Sequence, residues 1–200
     1  MGVVTIVLDT NVVEWSGMNC LRRAFNLTIC VFCGACDCCV ECWHCVNLVI
    51  HPQNRAFDHM LGFLPGVDGL HGSESNLVNT SDPSSERVTV NNTSPYIGPF
   101  DPDHSVQATT DKIFGQACLA TDCNAPTMSG FIEFESARHG VEASKSVMNA
   151  FTPARLPVMS TLAEEFAVFD RFFCSVPGPT FPNRLFQLMG SSKGDTRTKV

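Results

Sequence analysis

Apolar residues in this chain recur either in short runs or at helical spacing, and the two patterns alternate along it. The run VNLVI at 46–50 is apolar and β-branched, which predicts a buried strand that the following His-Pro ends. A second strand is predicted at 167–173. A shorter one is predicted at 87–90, inside a long segment, 66–102, whose Gly, Ser, Asn, Asp and Pro content otherwise predicts irregular loop.

Helical spacing of apolar residues appears in later stretches of the chain. These are 106–114, 130–137, 144–150, 156–166 and 182–189. Pro157 and Pro182 suit the first turn of the last two, and Gly190 suits the end of the final helix. Helices that alternate with strands in this way predict an α/β layered arrangement.

Polar side chains follow the first predicted strand. In open α/β sheets, ligands bind beyond the carboxyl ends of the strands. Asn54, Asp58 and His59 therefore either ligate a hard metal or orient a phosphate, or they cap a loop-to-helix junction. Two interpretations are also open for His104, which lies just before a predicted helix. It either contacts a phosphate or is an incidental residue of a capping region.

Thr180 lies between a stiff turn and the last predicted helix. The VPGP sequence at 176–179 can continue neither a helix nor a central strand, so Thr180 is expected on a tight turn. Its hydroxyl would face free backbone N–H groups and the positive end of the helix dipole, where a phosphate binds well. A Thr-x-Pro sequence is also typical of an ordinary helix N-cap, so the pattern alone leaves both interpretations open.

Composition narrows the class of protein. The net charge of −7 and the absence of a Lys/Arg-rich stripe exclude a nucleic-acid partner. With 44% hydrophobic and 16% charged residues in 200, the chain is globular, and its length suits one domain or one domain with an extension.

Cysteines are concentrated near the amino terminus, where eight of the eleven lie between Cys20 and Cys45. Zinc and iron–sulfur sites use Cys-x-x-Cys pairs, but this run lacks a second pair across a loop and a closing Cys-Pro. We interpret 1–45 as a Cys-rich extension or leader, with a metal module as the alternative. Arg22-Arg23 before an apolar stretch is weakly signal-like, which leaves secreted or endomembrane and cytoplasmic or peripheral-membrane locations open.

Several separated motifs resemble one known family. They are QNRAFDHMLG, GVDGLHGSESN, DPDHS, SVMNAF, EFAVFDRFF and SVPGPTFPNR. In sequence and order they are similar to the plant non-specific phospholipase C group of the phosphoesterase family, which has the alkaline-phosphatase-like α/β fold. The resemblance covers about 46–192 and implies that 46–200 is the N-terminal half of a phosphoesterase domain, with an incomplete layered sheet and flanking helices.

The resemblance also implies a chemistry. Thr180 would attack phosphorus, assisted by a divalent metal of unknown identity, and water would hydrolyse the phospho-threonine that results. Thr180, Asn54 and Gln53 would bind the metal, and His104 would contact the phosphoryl oxygens. Asn183 and Arg184 would shape the nucleophile turn. The substrate would be a phospholipid at a membrane surface, cleaved to diacylglycerol and a phosphorylated headgroup.

The chain departs from the family pattern at two points. Gln53 stands where the family has a metal-binding Glu, and hard divalent cations favour carboxylates. The family's later Asp-Glu-His-Gly-Gly motif, which carries further metal ligands, does not occur in this sequence. We therefore expect little or no turnover by the chain alone. The alternative to a phospholipase C is a catalytically inactive, truncated family member that at most binds lipid phosphate.

Overall fold

The computed structural model describes residues 55–115, 126–166 and 168–198, together with the strands at 2–4 and 46–48. The Cys-rich segment otherwise lies outside the described residues, as do the predictions made for it. Among the residues so described, no helix is long and apolar enough to cross a membrane.

Helices and strands are mixed along the described chain. The strands are β1 (Gly2–Val4), β2 (Val46–Leu48), β3 (Ser75–Leu77) and β4 (Arg87–Thr89). The helices are α1 (Phe57–Leu61), α2 (Val106–Phe114), α3 (Phe131–His139), α4 (Val141–Ser144), α5 (Pro157–Glu165) and α6 (Thr180–Met189). Short 3₁₀ turns cover Lys145–Met148 and Pro153–Arg155. The mixed α/β content predicted from the sequence is confirmed.

The described strands form two small sheets. β1 and β2 pair in parallel, with Gly2 opposite Val46 and Val4 opposite Leu48, and β3 and β4 pair antiparallel. The predicted strands at 46–50 and 87–90 are therefore confirmed over β2 and β4. Their partners β1 and β3 were not predicted, and a larger layered sheet is not formed by the described residues.

Two helix contacts organise the core. α1 packs on α5 through Phe57, Leu61 and Ala163, all buried. The start of α3 crosses the end of α2 so closely that a Cβ atom on Gly130 would lie 2.4 Å from the carbonyl oxygen of Asp111, which requires glycine at that position. Burial of apolar side chains, as between α1 and α5, contributes about 25 cal/mol for each Å² of apolar surface removed from water.

The strand predicted at 167–173 is wrong for the described residues 168–173, which form a loop with a turn at Asp170 and Arg171. Polar residues in the middle of the run explain this. The Asp170 carboxylate accepts a hydrogen bond from the backbone N–H of Asp68 at 2.8 Å, and Arg171 Nε donates to the Asp68 carboxylate at 3.1 Å. Phe169 and Phe172 remain 45% and 44% exposed, whereas a core strand would bury such side chains.

Candidate active site

Thr180 is the first residue of the ten-residue helix α6. Pro179 precedes it as the N-cap, in extended conformation, and makes no side-chain capping bond. At the other end Gly190 has a left-handed φ of 70°, which ends the helix. The predicted turn, helix start and glycine stop are confirmed. The hydroxyl-bearing Thr180 thus lies at the positive end of the α6 dipole.

The turn before Thr180 is held by one buried side chain, that of Asn183. Its Oδ1 accepts a hydrogen bond from the Val176 N–H at 2.9 Å. Its Nδ2 donates to the carbonyl oxygens of Val176, Gly178 and Pro179 at 3.0, 3.4 and 3.1 Å. Because both ends of the amide are used, the turn has a fixed shape at the start of α6.

Arg184 follows Asn183 in α6 and is half-buried. The Asn183 side chain supplies four of the hydrogen bonds that hold the turn. A part for Arg184 in shaping the turn stays a prediction.

The turn contacts the amino end of α2. A Cβ atom on Gly178 would lie 2.8 Å from Val106 Cγ2 and 3.6 Å from the Val106 backbone nitrogen. Val106 is the first residue of α2, two positions after His104. The structure therefore brings the segments that carry Thr180 and His104 together.

His104 lies in the loop before α2 and is half-buried. Its Nδ1 is 3.1 Å from the carbonyl oxygen of Pro102, which can only accept, so Nδ1 carries a hydrogen. In the neutral ring Nε2 is then the basic nitrogen. Ser105 caps α2 by accepting a hydrogen bond from the Ala108 N–H at 3.2 Å. With Nδ1 committed to Pro102, Nε2 can donate a hydrogen bond to a phosphoryl oxygen only in the protonated ring.

His104 also lines a cavity of about 510 Å³. The charged and titratable residues around this cavity are Arg55, Asp58, His59, Asp101, His104, Lys112 and Glu135. Leu70, Phe100 and Met148 contribute to its apolar walls. Thr180, Asn183 and Arg184 are not among the described residues that line this cavity.

Arg55, His59 and Ser94 form a cluster in the cavity wall that the sequence did not predict. His59 Nε2 is 2.6 Å from Ser94 Oγ, and the His59 ring stacks on Phe151 with 5.0 Å between centroids. Arg55 Nη2 donates to the Tyr96 carbonyl oxygen at 3.1 Å. Burial, and secondly the Arg55 charge, lower the pKa of His59 to about 4, so the ring is neutral near pH 7.

A buried ion pair also lines the cavity. Lys112 Nζ is 2.5 Å from Glu135 Oε1, and their side chains are 8% and 0% exposed. Burial lowers the pKa of Lys112, while Glu135 and then Asp103 act in the opposite direction. No pattern in the sequence indicates this pair, because Lys112 is in α2 and Glu135 is in α3.

Gln53 and Asn54, two of the three predicted metal ligands, lie outside the described residues. Among the residues that are described, no group of three or more His, Cys, Asp and Glu side chains could hold a metal ion. Asp58 is buried in α1, and His59 is engaged with Ser94.

Comparison with known proteins identifies the family. The Phosphoesterase family profile matches residues 45–199. Non-specific phospholipase C1 of Arabidopsis thaliana is 43% identical over 152 residues, covering 74% of this chain and 27% of that protein. Non-specific phospholipase C3 of the same plant is 40% identical over 164 residues, covering 76% of this chain and 31% of that protein.

More distant similarity extends to bacteria. Phospholipase C B of Mycobacterium tuberculosis is 28% identical over 155 residues, covering 70% of this chain and 28% of that protein. The chain spans about 30% of the length of the curated relatives it matches. The resemblance found in the sequence motifs is confirmed, and the chain belongs to the phosphoesterase family.

Proposed function

We propose that the chain is part of a phosphoester hydrolase that cleaves phospholipids to diacylglycerol and a phosphorylated headgroup, with Thr180 as nucleophile. Family membership and the similarity to non-specific phospholipases C support the reaction class. The observation that carries the proposal is the position of Thr180 at the start of α6, behind a turn that Asn183 holds rigid.

The proposed chemistry uses two displacements at phosphorus. Thr180 Oγ1 forms a bond to phosphorus while the bond to the diacylglycerol oxygen breaks, and that oxygen takes up a proton as the alcohol leaves. Water then attacks the phospho-threonine, which releases the phosphorylated headgroup and restores the hydroxyl. The amino end of α6 favours the negative charge on the phosphoryl oxygens in both steps.

His104 has the second role in this proposal. Its Nδ1 is committed to Pro102, so Nε2 is the ring nitrogen that would contact a phosphoryl oxygen, donating a hydrogen bond when the ring is protonated. Contact between α2 and the Gly178 turn supports this, because it keeps the His104 loop beside the turn that carries Thr180.

A divalent metal belongs to the proposal through Gln53, Asn54 and Thr180. When bound, such an ion would favour the alkoxide form of the Thr180 hydroxyl and screen the phosphate charge. Gln53 provides a neutral amide oxygen where a carboxylate is the better ligand for a hard cation. This substitution favours the second candidate function, a family member that binds lipid phosphate without turning it over.

The test is release of phosphocholine from phosphatidylcholine vesicles with added Mg²⁺, Ca²⁺, Mn²⁺ or Zn²⁺. It is run on this chain and on a fusion that adds the part of non-specific phospholipase C1 beyond the matched region. We expect little turnover from the chain alone, clear turnover from the fusion, and an increase with Gln53→Glu. Thr180→Ala should lower turnover about 1,000-fold or more, because the variant lacks the proposed nucleophile.

The matched control is Thr161→Ala, since Thr161 is an exposed threonine of α5. It should leave turnover unchanged. Turnover that survives Thr180→Ala would contradict the proposed nucleophile. Vesicle binding without turnover in every variant, Gln53→Glu included, would favour the phosphate-binding alternative.

A further inference from the structure

One face of α3 holds the loop that carries His104. Glu135, Arg138 and His139 are spaced so that they lie on the same side of the helix. Arg138 Nη2 is 3.3 Å from the Asp103 carboxylate, and the His139 ring stacks on Phe100 with 4.1 Å between centroids. Glu135 Oε1 accepts a hydrogen bond from the Asp103 N–H at 3.1 Å. The loop is thus fixed by α3 at Phe100 and at Asp103.

The ion pair between α2 and α3 holds Asp103 from both sides. Besides pairing with Glu135, Lys112 Nζ donates to the Asp103 carbonyl oxygen at 2.5 Å. The Asp103 N–H therefore donates to the Glu135 carboxylate, and the Asp103 carbonyl oxygen accepts from the Lys112 ammonium. The two side chains form one ion pair that is almost wholly buried. Asp103 is the residue before His104, so the pair fixes the backbone that directs the His104 side chain.

Stability alone does not explain why charges occupy these positions. Removing two charges from water is costly, and well-packed apolar residues of similar volume in place of a buried ion pair are often neutral or stabilising. An apolar pair could fill the space between α2 and α3, but it could not bond the N–H and C=O of Asp103. What the ion pair supplies beyond packing is the fixed position of that peptide.

We propose that Lys112 and Glu135 are positioning residues that hold His104 in place for phosphoryl transfer. The effect of these residues on turnover rests on the proposed function, whereas their effect on the position of the His104 loop does not. Reacting groups must be held within a fraction of an ångström of the productive geometry, so a loop released at Asp103 would move His104 enough to slow the reaction.

The decisive variant is the double substitution Lys112→Met with Glu135→Leu. It removes both charges together and leaves no unpaired buried charge, so the α2–α3 packing has apolar side chains in place of the pair. Its matched control is Lys145→Met with Glu142→Leu, the same substitutions at a Lys–Glu pair 2.7 Å apart whose Glu142 side chain is 86% exposed.

The first readout is the His104 ring signal in NMR spectra of the full chain without ligand, assigned with His104→Gln. We expect the ring signal to shift in the Lys112/Glu135 variant and to stay at the wild-type position in the Lys145/Glu142 control. An unchanged signal in a Lys112/Glu135 variant that unfolds cooperatively would overturn the inference.

A second measurement needs no variant. The backbone amide of Asp103 in the wild-type chain should exchange with solvent roughly 100-fold more slowly than an unprotected amide, because it donates to a buried carboxylate. Exchange at the unprotected rate would overturn the inference even if the double variant does not fold.

Activity is measured separately on whichever form of the protein turns over phosphatidylcholine. The Lys112/Glu135 variant should lower kcat about tenfold or more with little change in KM, and the Lys145/Glu142 control should leave both unchanged. Absence of turnover in every form that carries the wild-type residues, the fusion included, would count against the proposed function. The ring signal and the amide exchange would still decide whether the pair positions His104.

Discussion

The turn before Thr180 and the loop before α2 meet at Gly178 and Val106, yet different chemistry holds each of them. One neutral amide, Asn183, makes four hydrogen bonds within the turn. The loop at Asp103 depends on a buried pair of opposite charges from two helices.

The difference separates local from long-range order. Asn183 lies within seven residues of every group that it bonds, so the turn forms together with the first turn of α6. Lys112 and Glu135 are brought together only when α2 packs on α3. Disturbing that packing should therefore release the His104 loop and leave the Thr180 turn intact.

The free energy of unfolding should change most when the ion pair that holds the loop at Asp103 is broken. Lys112→Met alone leaves the Glu135 carboxylate buried without its cation, which should cost about 3–5 kcal/mol in the free energy of unfolding. Adding Glu135→Leu should restore most of that loss. Urea unfolding of the two single variants and the double variant measures the loss in the free energy of unfolding and its recovery. Equal losses in the single and double variants would show that the buried charge is not the cause.

A pH-dependent effect is expected at His59, a half-buried histidine whose ring is neutral near pH 7. Its pKa is lowered from 6.5 to about 4, so the folded state disfavours the charged ring. The stabilising effect is complete above pH 6.5 and is lost as pH falls to about 4, by about 3 kcal/mol in all. Urea unfolding between pH 7 and pH 4 should show a smaller loss in His59→Gln than in wild type.

The control for this pH dependence is His71→Gln, at a histidine whose side chain is 79% exposed. Its pH profile should follow that of the wild type. If the His59→Gln and wild-type profiles coincide, His59 is not the group that becomes unfavourable on protonation.

A somewhat smaller effect is expected at the neutral turn. Asn183→Ala removes the partner of the Val176 N–H and of three carbonyl groups, which should cost about 2–3 kcal/mol. Asn92→Ala, at an exposed asparagine, should change the free energy of unfolding by less than about 0.5 kcal/mol. Comparable losses in the two variants would remove the distinction between the turn and an ordinary surface site.

The smallest effect concerns the cap of α2. Ser105→Ala removes the side-chain acceptor of the Ala108 N–H and should cost about 1 kcal/mol. Ser105→Asp keeps an acceptor and should restore most of it. Thermal unfolding of the three proteins measures the difference, and no loss in Ser105→Ala would mean that the loop bonds to Asp103 hold the helix start without the cap.

The sequence predicted best what depends on neighbouring residues. Prolines predicted the start of α5 and the turn before α6, and Gly190 predicted the end of α6. These predictions succeed because the backbone preferences of proline and glycine act locally. The strand predicted at 167–173 failed for 168–173 because hydrophobic runs do not reveal that Asp170 and Arg171 bond to a distant residue, Asp68.

The candidate site was predictable only in part. Motifs placed Thr180 and His104, and the structure brings their segments together. The residues next to Lys112 in the sequence do not distinguish it from a surface lysine of an amphipathic helix. Its ion-pair partner, Glu135, is 23 positions later in the chain. The same holds for His59 and Ser94, which are joined by packing between α1 and a loop 35 residues away.

Attack of Thr180 on phosphorus is tested by peptide mass spectrometry of Thr180 after the protein has been incubated with phosphatidylcholine and a divalent metal and quenched in acid. We expect a phosphocholine ester on the threonine of the segment SVPGPTFPNR, absent from Thr180→Ala and from a sample without substrate. Headgroup release with an unmodified Thr180, or with phosphocholine on another residue, would contradict the proposed mechanism.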